Sequence, residues 1–280
     1  MKFVILKNNT TNNIVTMKYS VALLLTTAFS CAFATECKTI KVSGDVDYPP
    51  ITWQNPKDKN EIKGLAIQLV YDAFSDSGIK IESVYAGDWG EVQNNARIGK
   101  IDIIAGLYIN EERKQYLDYT EQPFLMDPVA IFVPSKKAYD FKFSKWEDLK
   151  SLQGVTTVGN SFGQKFDKFS KKHLKIKYKE LMEETFDELL SGNSDYLIQG
   201  LYPGLAGLAR TRLSIRITPN PVPVVEEGLY IAFSKRSHCK QHIKLLSNKV
   251  SSFVKDKISS SLVDKYFKVW KEDFNLADLK

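Results

Sequence analysis

Two long extended apolar runs, near Leu125–Phe132 and Val224–Phe233, constrain the fold more than any other feature of the chain. Ahead of the first, short apolar strands alternate with helical segments. Thr39–Ser43 reads as a strand. Gly64 opens a helix with apolar residues Leu65, Leu69, Val70, Ala73 and Phe74 at helical spacing, closed by Gly78. Lys80–Tyr85 is a strand, Trp89–Ile98 a short helix ended by Gly99, and Ile101–Leu107 a strand. Between the two runs the alternation starts afresh. Val155–Val158, Ile176–Lys179 and Tyr196–Gln199 read as strands, with helices at Phe162–Lys172 and Glu183–Ser191 between them and another over Tyr202–Leu208. After the second run only helices remain, His238–Asp256 and Ser260–Trp270. Alternation of this kind predicts parallel sheets covered on both faces. The expected fold class is α/β, in two lobes joined by the two runs. Residues 35–126 with 228–280 would form the first lobe and residues 127–227 the second. A cleft between such lobes is a preferred place for a small ligand.

The N-terminus reads as an export signal. From Met17 a basic start leads to the apolar segment Val21–Phe29 and ends on Ala32 and Ala34, so cleavage is expected after Ala34. The apolar segment is too short to span a bilayer. Ala28-Phe-Ser-Cys31 is a poor lipid-attachment signal. Removing residues 1–34 removes Lys2, Lys7 and Lys18 and no acid, which lowers the net charge from +6 to +3. So mild a charge, with basic residues scattered, argues against a dedicated nucleic-acid binder. Export implies an oxidising compartment, the periplasm. Cys37 and Cys239 remain there, either joined or as two separate thiols.

One stretch carries chemistry. The apolar strand ending at Leu107 is followed by Tyr108-Ile-Asn-Glu-Glu-Arg113. In open α/β sheets ligands sit beyond the carboxyl ends of strands. A guanidinium there, permanently charged and with five donors in a fixed fork, suits a carboxylate. The plainer reading is a solvated surface charge beside Glu111 and Glu112. Tyr48 and Trp53 are either cleft aromatics or ordinary core. Gly159-Asn-Ser161-Phe-Gly163 matches the G-x-S-x-G nucleophile pattern, with Asp195, His238 and His242 later in the chain, but no oxyanion-loop glycines accompany it. His238-Cys-Lys-Gln-His242 has metal-ligand spacing, although a surface helix with incidental histidines accounts for it as well. No phosphate-cradling or dinucleotide glycine pattern is present, and no cofactor or metal is expected.

Over residues 38–270 the sequence resembles the bacterial extracellular solute-binding proteins of family 3, the amino-acid receptors of ABC importers. Three features carry the likeness: Tyr48-Pro-Pro-Ile-Thr-Trp53 with Gly64; Gly99-Lys-Ile-Asp102 with Asn110-Glu-Glu-Arg113 and Asp118-Tyr-Thr-Glu-Gln-Pro-Phe124; and Glu227-Gly-Leu-Tyr-Ile-Ala-Phe233. The resemblance implies a two-lobed, type II-like periplasmic binding-protein fold and a monomer that closes on a small carboxylate ligand and docks on a membrane permease. It implies that Arg113 clamps the ligand carboxylate and that Tyr48 packs on its side chain, with Trp53 beside it. Ala105, Gly106 and Tyr108 would touch the ligand, Tyr108 in place of the usual small Ser or Thr. Ser161 and Gly163 would add second-lobe contacts through free N–H donors. The sequence departs from the family at Gly200, where an aspartate usually pairs with the ligand ammonium. Either Glu226, Glu227 or Asp88 supplies that charge, or the ligand has no α-amino group. Two rivals share the fold: a cleft lyase like cyclohexadienyl dehydratase, and a sensor module acting through a separate membrane protein.

Overall fold

The computed structural model describes residues 36–255 and 259–276. The expected signal peptide, its cleavage point and Cys31 lie outside the described residues. In the first lobe, strand β1 (Thr39–Ser43) is followed by three two- or three-residue strands, β2 (Asp47–Tyr48), β3 (Thr52–Gln54) and β4 (Ile62–Lys63), paired antiparallel. Helix α1 (Leu65–Phe74) buries the apolar stripe read from the sequence. Gly64 precedes it at φ +138°, and a Cβ there would stand 2.1 Å from the Ile51 carbonyl oxygen, so only glycine fits. Strand β5 (Lys80–Ser83) leads to α2 (Trp89–Ile98), where Asp88 and Glu91 form a reciprocal capping box and Gly99 ends the helix in the left-handed region. Then come β6 (Ile103–Leu107), buried along its whole length, the single turn α3 (Glu111–Lys114) and β7 (Leu117–Tyr119).

The two extended runs become ten-residue strands, β8 (Leu125–Pro134) and, later, β13 (Val225–Ser234). Between them lie β9 (Gln153–Thr157), α4 (Gln164–His173), β10 (Lys175–Lys179), α5 (Met182–Leu190), β11 (Tyr196–Gly200), α6 (Leu201–Thr211) and β12 (Ile217–Pro219). Helices α7 (Ile243–Lys255) and α8 (Ser259–Asp273) follow β13. The main sheet runs β10-β9-β11-β8-β13-β6-β1-β5. The expected parallel pairing holds within each lobe, for β1 with β5 and β6 and for β9 with β10 and β11. The sheet as a whole is mixed, because β8 and β13 run antiparallel to the strands they join. A chain that leaves one lobe and returns must cross in opposite directions. Over Val225–Leu229, β13 pairs with β8; after an irregularity at Tyr230–Ile231 its far half pairs with β6 and β7. The mixed α/β layers are those of the two-lobed periplasmic binding-protein fold.

Helix boundaries shift where a specific bond intervenes. The helix expected from Phe162 starts at Gln164, because Gly163 stands at φ +91° and the Phe162 N–H is taken by Asp167. The helix expected from His238 begins, as an α-helix, only at Ile243, because Cys239 is joined to Cys37 (Cα–Cα 5.1 Å) and a 3-10 turn intervenes. Helix α8 carries Trp270 into a cluster with Trp53, Ala206 and Ala209, so it touches first-lobe and second-lobe residues at once. No helix among the described residues is long and apolar enough to cross a membrane.

Candidate functional site

Arg113 is the centre of the candidate site. The Asn110 side chain accepts the Arg113 N–H at 2.8 Å and starts α3, whose single turn points the guanidinium inward, where it is only 4% exposed. Nε donates to Gln93 Oε1 at 3.1 Å and Nη1 to the Tyr108 carbonyl at 3.1 Å. Nη2 reaches across to the Gly159 carbonyl of the second lobe at 3.4 Å. The cation lies 5.1 Å from the centre of the Trp89 ring, whose Nε1 also donates to Gly159. Among the described residues no carboxylate forms an ion pair with it. Its acidic sequence neighbours are engaged elsewhere, Glu112 with Arg97 at 2.8 Å and Glu111 with Lys114 at 3.0 Å. A buried, permanent charge held only by neutral oxygens retains its capacity for an anion.

The second group is aromatic and acidic. Tyr48 ends β2 and Tyr108 follows β6, and their hydroxyl oxygens lie 3.1 Å apart. Both donate to the same oxygen, Oδ2, of Asp127 on the crossing strand β8. Asp127 is fully buried, and its Oδ1 has no partner among the described residues. Burial raises its carboxyl to about 6, against the pull of the two hydroxyls. Burial, followed by the Asp127 charge, pushes both tyrosine hydroxyls well above the ordinary tyrosine range. Gly200, at the end of β11, stands just in front: a Cβ there would lie 3.2 Å from Asp127 Oδ2 and 3.0 Å from Pro203. Gly106, at φ +87°, lets β6 pass Ile51, whose Cγ2 a Cβ would approach to 2.6 Å. Nearby, half-buried Asp45 is raised to about 7, chiefly by desolvation and against an N–H bond from Asp47.

On the second-lobe side the turn before α4 is already engaged. Ser161 donates its hydroxyl to Asp167 Oδ2, and the Phe162 N–H goes to Asp167 Oδ1 at 2.8 Å. Gly163 packs so tightly on Glu227 of β13 that a Cβ would fall 1.9 Å from Oε1. The donors expected to be free for an anion are thus partly spent on Asp167. Ser161 has this carboxylate as its partner, while His238 lies beside Asp102 and Cys239, and Asp195 accepts the Gln153 N–H. The Cys239 sulfur of the histidine motif belongs to the disulfide, not to a thiolate ligand.

Two cavities adjoin between the lobes. One, of about 840 Å³, is lined by Arg113, Gln93, Ser161 and Lys171 among others. The other, of about 350 Å³, is lined by Tyr48, Tyr108, Gly200 and Asp88 among others. Gly159–Ser161 belong to both, and Arg113, which lines the first, and Trp89, which lines the second, both donate to the Gly159 carbonyl. The structure does not bring Trp53 to either cavity. It is 1% exposed, donates to Asp273 Oδ2 at 3.1 Å and packs under α8. Sequence reasoning missed Asp127, Asp167 and Gln93. Asp127 alone had a visible signal, an acid inside an otherwise apolar crossing run.

The family model for bacterial extracellular solute-binding proteins, family 3, matches residues 40–272. No curated protein matches the chain. Similar solved structures include an ancestral arginine-binding protein bound to arginine (22% identity, TM-score 0.63, covering 83% of this chain and 98% of that one). A second is the substrate-binding protein of an amino acid ABC transporter (22%, 0.62, covering 82% and 99%). A third is an ancestral amino acid-binding protein that is a precursor of cyclohexadienyl dehydratase (24%, 0.62, covering 82% and 96%). At such identities the likeness establishes the fold.

Proposed function

Because the chain belongs to family 3 of the bacterial extracellular solute-binding proteins, we propose that it is the periplasmic receptor of an ABC importer, closing its lobes on one small carboxylate-bearing ligand, an amino acid or a relative of one. The observation that carries this reading is Arg113, a buried guanidinium whose hydrogen bonds all go to neutral oxygens. A ligand carboxylate displaces the Gly159 carbonyl from Nη2 and replaces a neutral acceptor with a charged one, roughly doubling the strength of the contact. Tyr48, Tyr108 and Gly200 form the floor of the ligand site and Ser161 its second-lobe wall, while Gly106 and Gly163 line neither cavity and shape the site from behind, packed on Ile51 and Glu227. Trp53 belongs to the frame that holds α8. The ligand touches both lobes in the closed form and one lobe in the open form, and that difference in contacts is what shifts the balance. The strands β8 and β13 serve as the hinge, and the closed form docks on the permease. The amino-acid-bound relatives and the ABC-transporter relative support the same reading.

Titration calorimetry of the wild type and Arg113→Ala against the standard L-amino acids tests it, with the tightest wild-type binder compared between the two. Affinity should fall at least tenfold in Arg113→Ala while the circular dichroism spectrum is kept. Equal affinity in the two proteins would remove the carboxylate role.

A further inference from the structure

Away from the cleft, two loops meet at one corner of the second lobe: residues 135–143 after β8 and residues 212–216 before β12. The Ser135 N–H donates to the Arg216 carbonyl at 2.8 Å, and Pro134 pairs with Ile217. Phe141 and Phe143 turn inward, Phe141 against the Tyr196 ring and Phe143 buried. Tyr139 and Ile215 turn outward, 87% and 88% exposed, and stand out further than any other large apolar side chain among the described residues. Around them Lys136, Lys137, Lys142, Arg212 and Arg216 are all exposed, and none is in an ion pair among the described residues. Lys142 stays with Tyr139: it donates to the Tyr139 carbonyl at 2.8 Å, with Nζ 5.0 Å from the centre of the ring. Asp140 is the only acid in the two loops.

A lone exposed hydrophobe needs no explanation. Here the two that protrude most sit on loops joined by a backbone bond, among cations that nothing neutralises. Tyrosine has an apolar ring and a polar tip, the make-up of side chains that settle at the headgroup level of a bilayer. Each lysine or arginine close to an anionic bilayer is drawn to it, and the attractions accumulate. A folded protein partner must place an acid against each cation, whereas headgroup phosphates in a fluid layer move to meet them. Neither loop lines a cavity between the lobes. Pro134 lies seven residues beyond Asp127 on β8, about 23 Å along the strand, so the corner is remote from the cleft.

We propose that this corner of the second lobe is a membrane-contact surface. Its five cations bind the headgroups of an anionic bilayer, and Tyr139 and Ile215 enter the headgroup layer. The hold is reversible and salt-sensitive, because exposed charges are screened over about 8 Å at physiological ionic strength. It concentrates the protein on the bilayer and is independent of what the cleft binds.

Co-sedimentation of the secreted form of the protein with lipid vesicles tests this. Vesicles of phosphatidylglycerol and phosphatidylcholine should bind it at least tenfold more tightly than vesicles of phosphatidylcholine alone. Raising the salt to about 1 M, where the screening length falls to about 3 Å, should remove that preference. Lys136→Ala/Lys137→Ala/Arg216→Ala should bind the anionic vesicles at least tenfold more weakly. Tyr139→Ser/Ile215→Ser, which keeps every charge, should bind them at least threefold more weakly. The changed residues are all exposed, so both variants should keep the wild-type circular dichroism spectrum and melting temperature. Equal binding to the two kinds of vesicle, no binding to either, or a folded variant that binds as tightly as the wild type overturns the proposal. So does equal capture by poly-L-glutamate and by anionic vesicles with no effect of Tyr139→Ser/Ile215→Ser, the result expected of a surface built for an acidic protein.

Discussion

At the scale of single residues, Arg113 and Asp127 are opposite cases of buried charge. Arg113 is legible in the sequence because its position depends on a strand end and one capped turn, both local. Asp127 stands out in the sequence only as an acid inside an apolar run, and its pairing is not legible, because its partners Tyr48 and Tyr108 lie 79 and 19 residues away. Its burial has a consequence for stability. The carboxyl is raised from its ordinary 3.8 to about 6. Between those values the folded chain holds a proton that the unfolded chain has released. Stability from this group therefore falls as pH rises from about 4 to about 6, then stays level. Asparagine carries no such charge, so Asp127→Asn should gain on the wild type over that window, by up to about 3 kcal/mol. Urea unfolding of both proteins at pH 4 and pH 7 checks this; a difference in stability independent of pH would refute it. Arg113→Lys should fail to restore binding lost in Arg113→Ala, because a lysine ammonium cannot reproduce the fork that spans Gln93, Tyr108 and Gly159.

At the scale of elements, most strands and helices follow from periodicity and punctuation, and the exceptions have named bonds behind them. Helix α2 ends at Gly99 as expected because both its caps are written in neighbouring residues. Helix α4 starts two residues later than expected because Asp167, five residues past the expected start, bonds back to Ser161 and Phe162. The start of α1 depends on Gly64. Gly64→Ala would force a Cβ against the Ile51 carbonyl at a backbone angle that L-residues avoid. It should cost about 3 kcal/mol or more and lower the melting temperature by several degrees. A melt matching the wild type would show that α1 can reseat.

At the scale of the whole molecule, three devices hold parts remote in sequence together. The strands β8 and β13 stitch the two lobe sheets into one. Helix α8 ties Trp53 and Lys63 to Asp273, and Trp270 to α6. The Cys37–Cys239 disulfide closes a loop across a sequence separation of 202. On chain-entropy grounds so long a loop limits the unfolded state by about 5 kcal/mol. Cys37→Ser/Cys239→Ser should lower the denaturation midpoint substantially yet keep ligand affinity, since neither cysteine lines a cavity between the lobes. Loss of affinity at temperatures where the variant stays folded would mean that the disulfide also sets the cleft.

By itself the sequence determined the α/β class, the two lobes with their crossing strands, and the arginine beyond β6. These depend on periodicity and on caps a few residues apart, where short-range sterics and burial decide. Only the tertiary structure decided that Cys37 meets Cys239, that Trp53 turns away from the cleft to α8, and that Asp127 meets two tyrosines behind Gly200. Those outcomes depend on which distant side chains the crossing strands bring into one low-dielectric space, and no local pattern encodes that meeting.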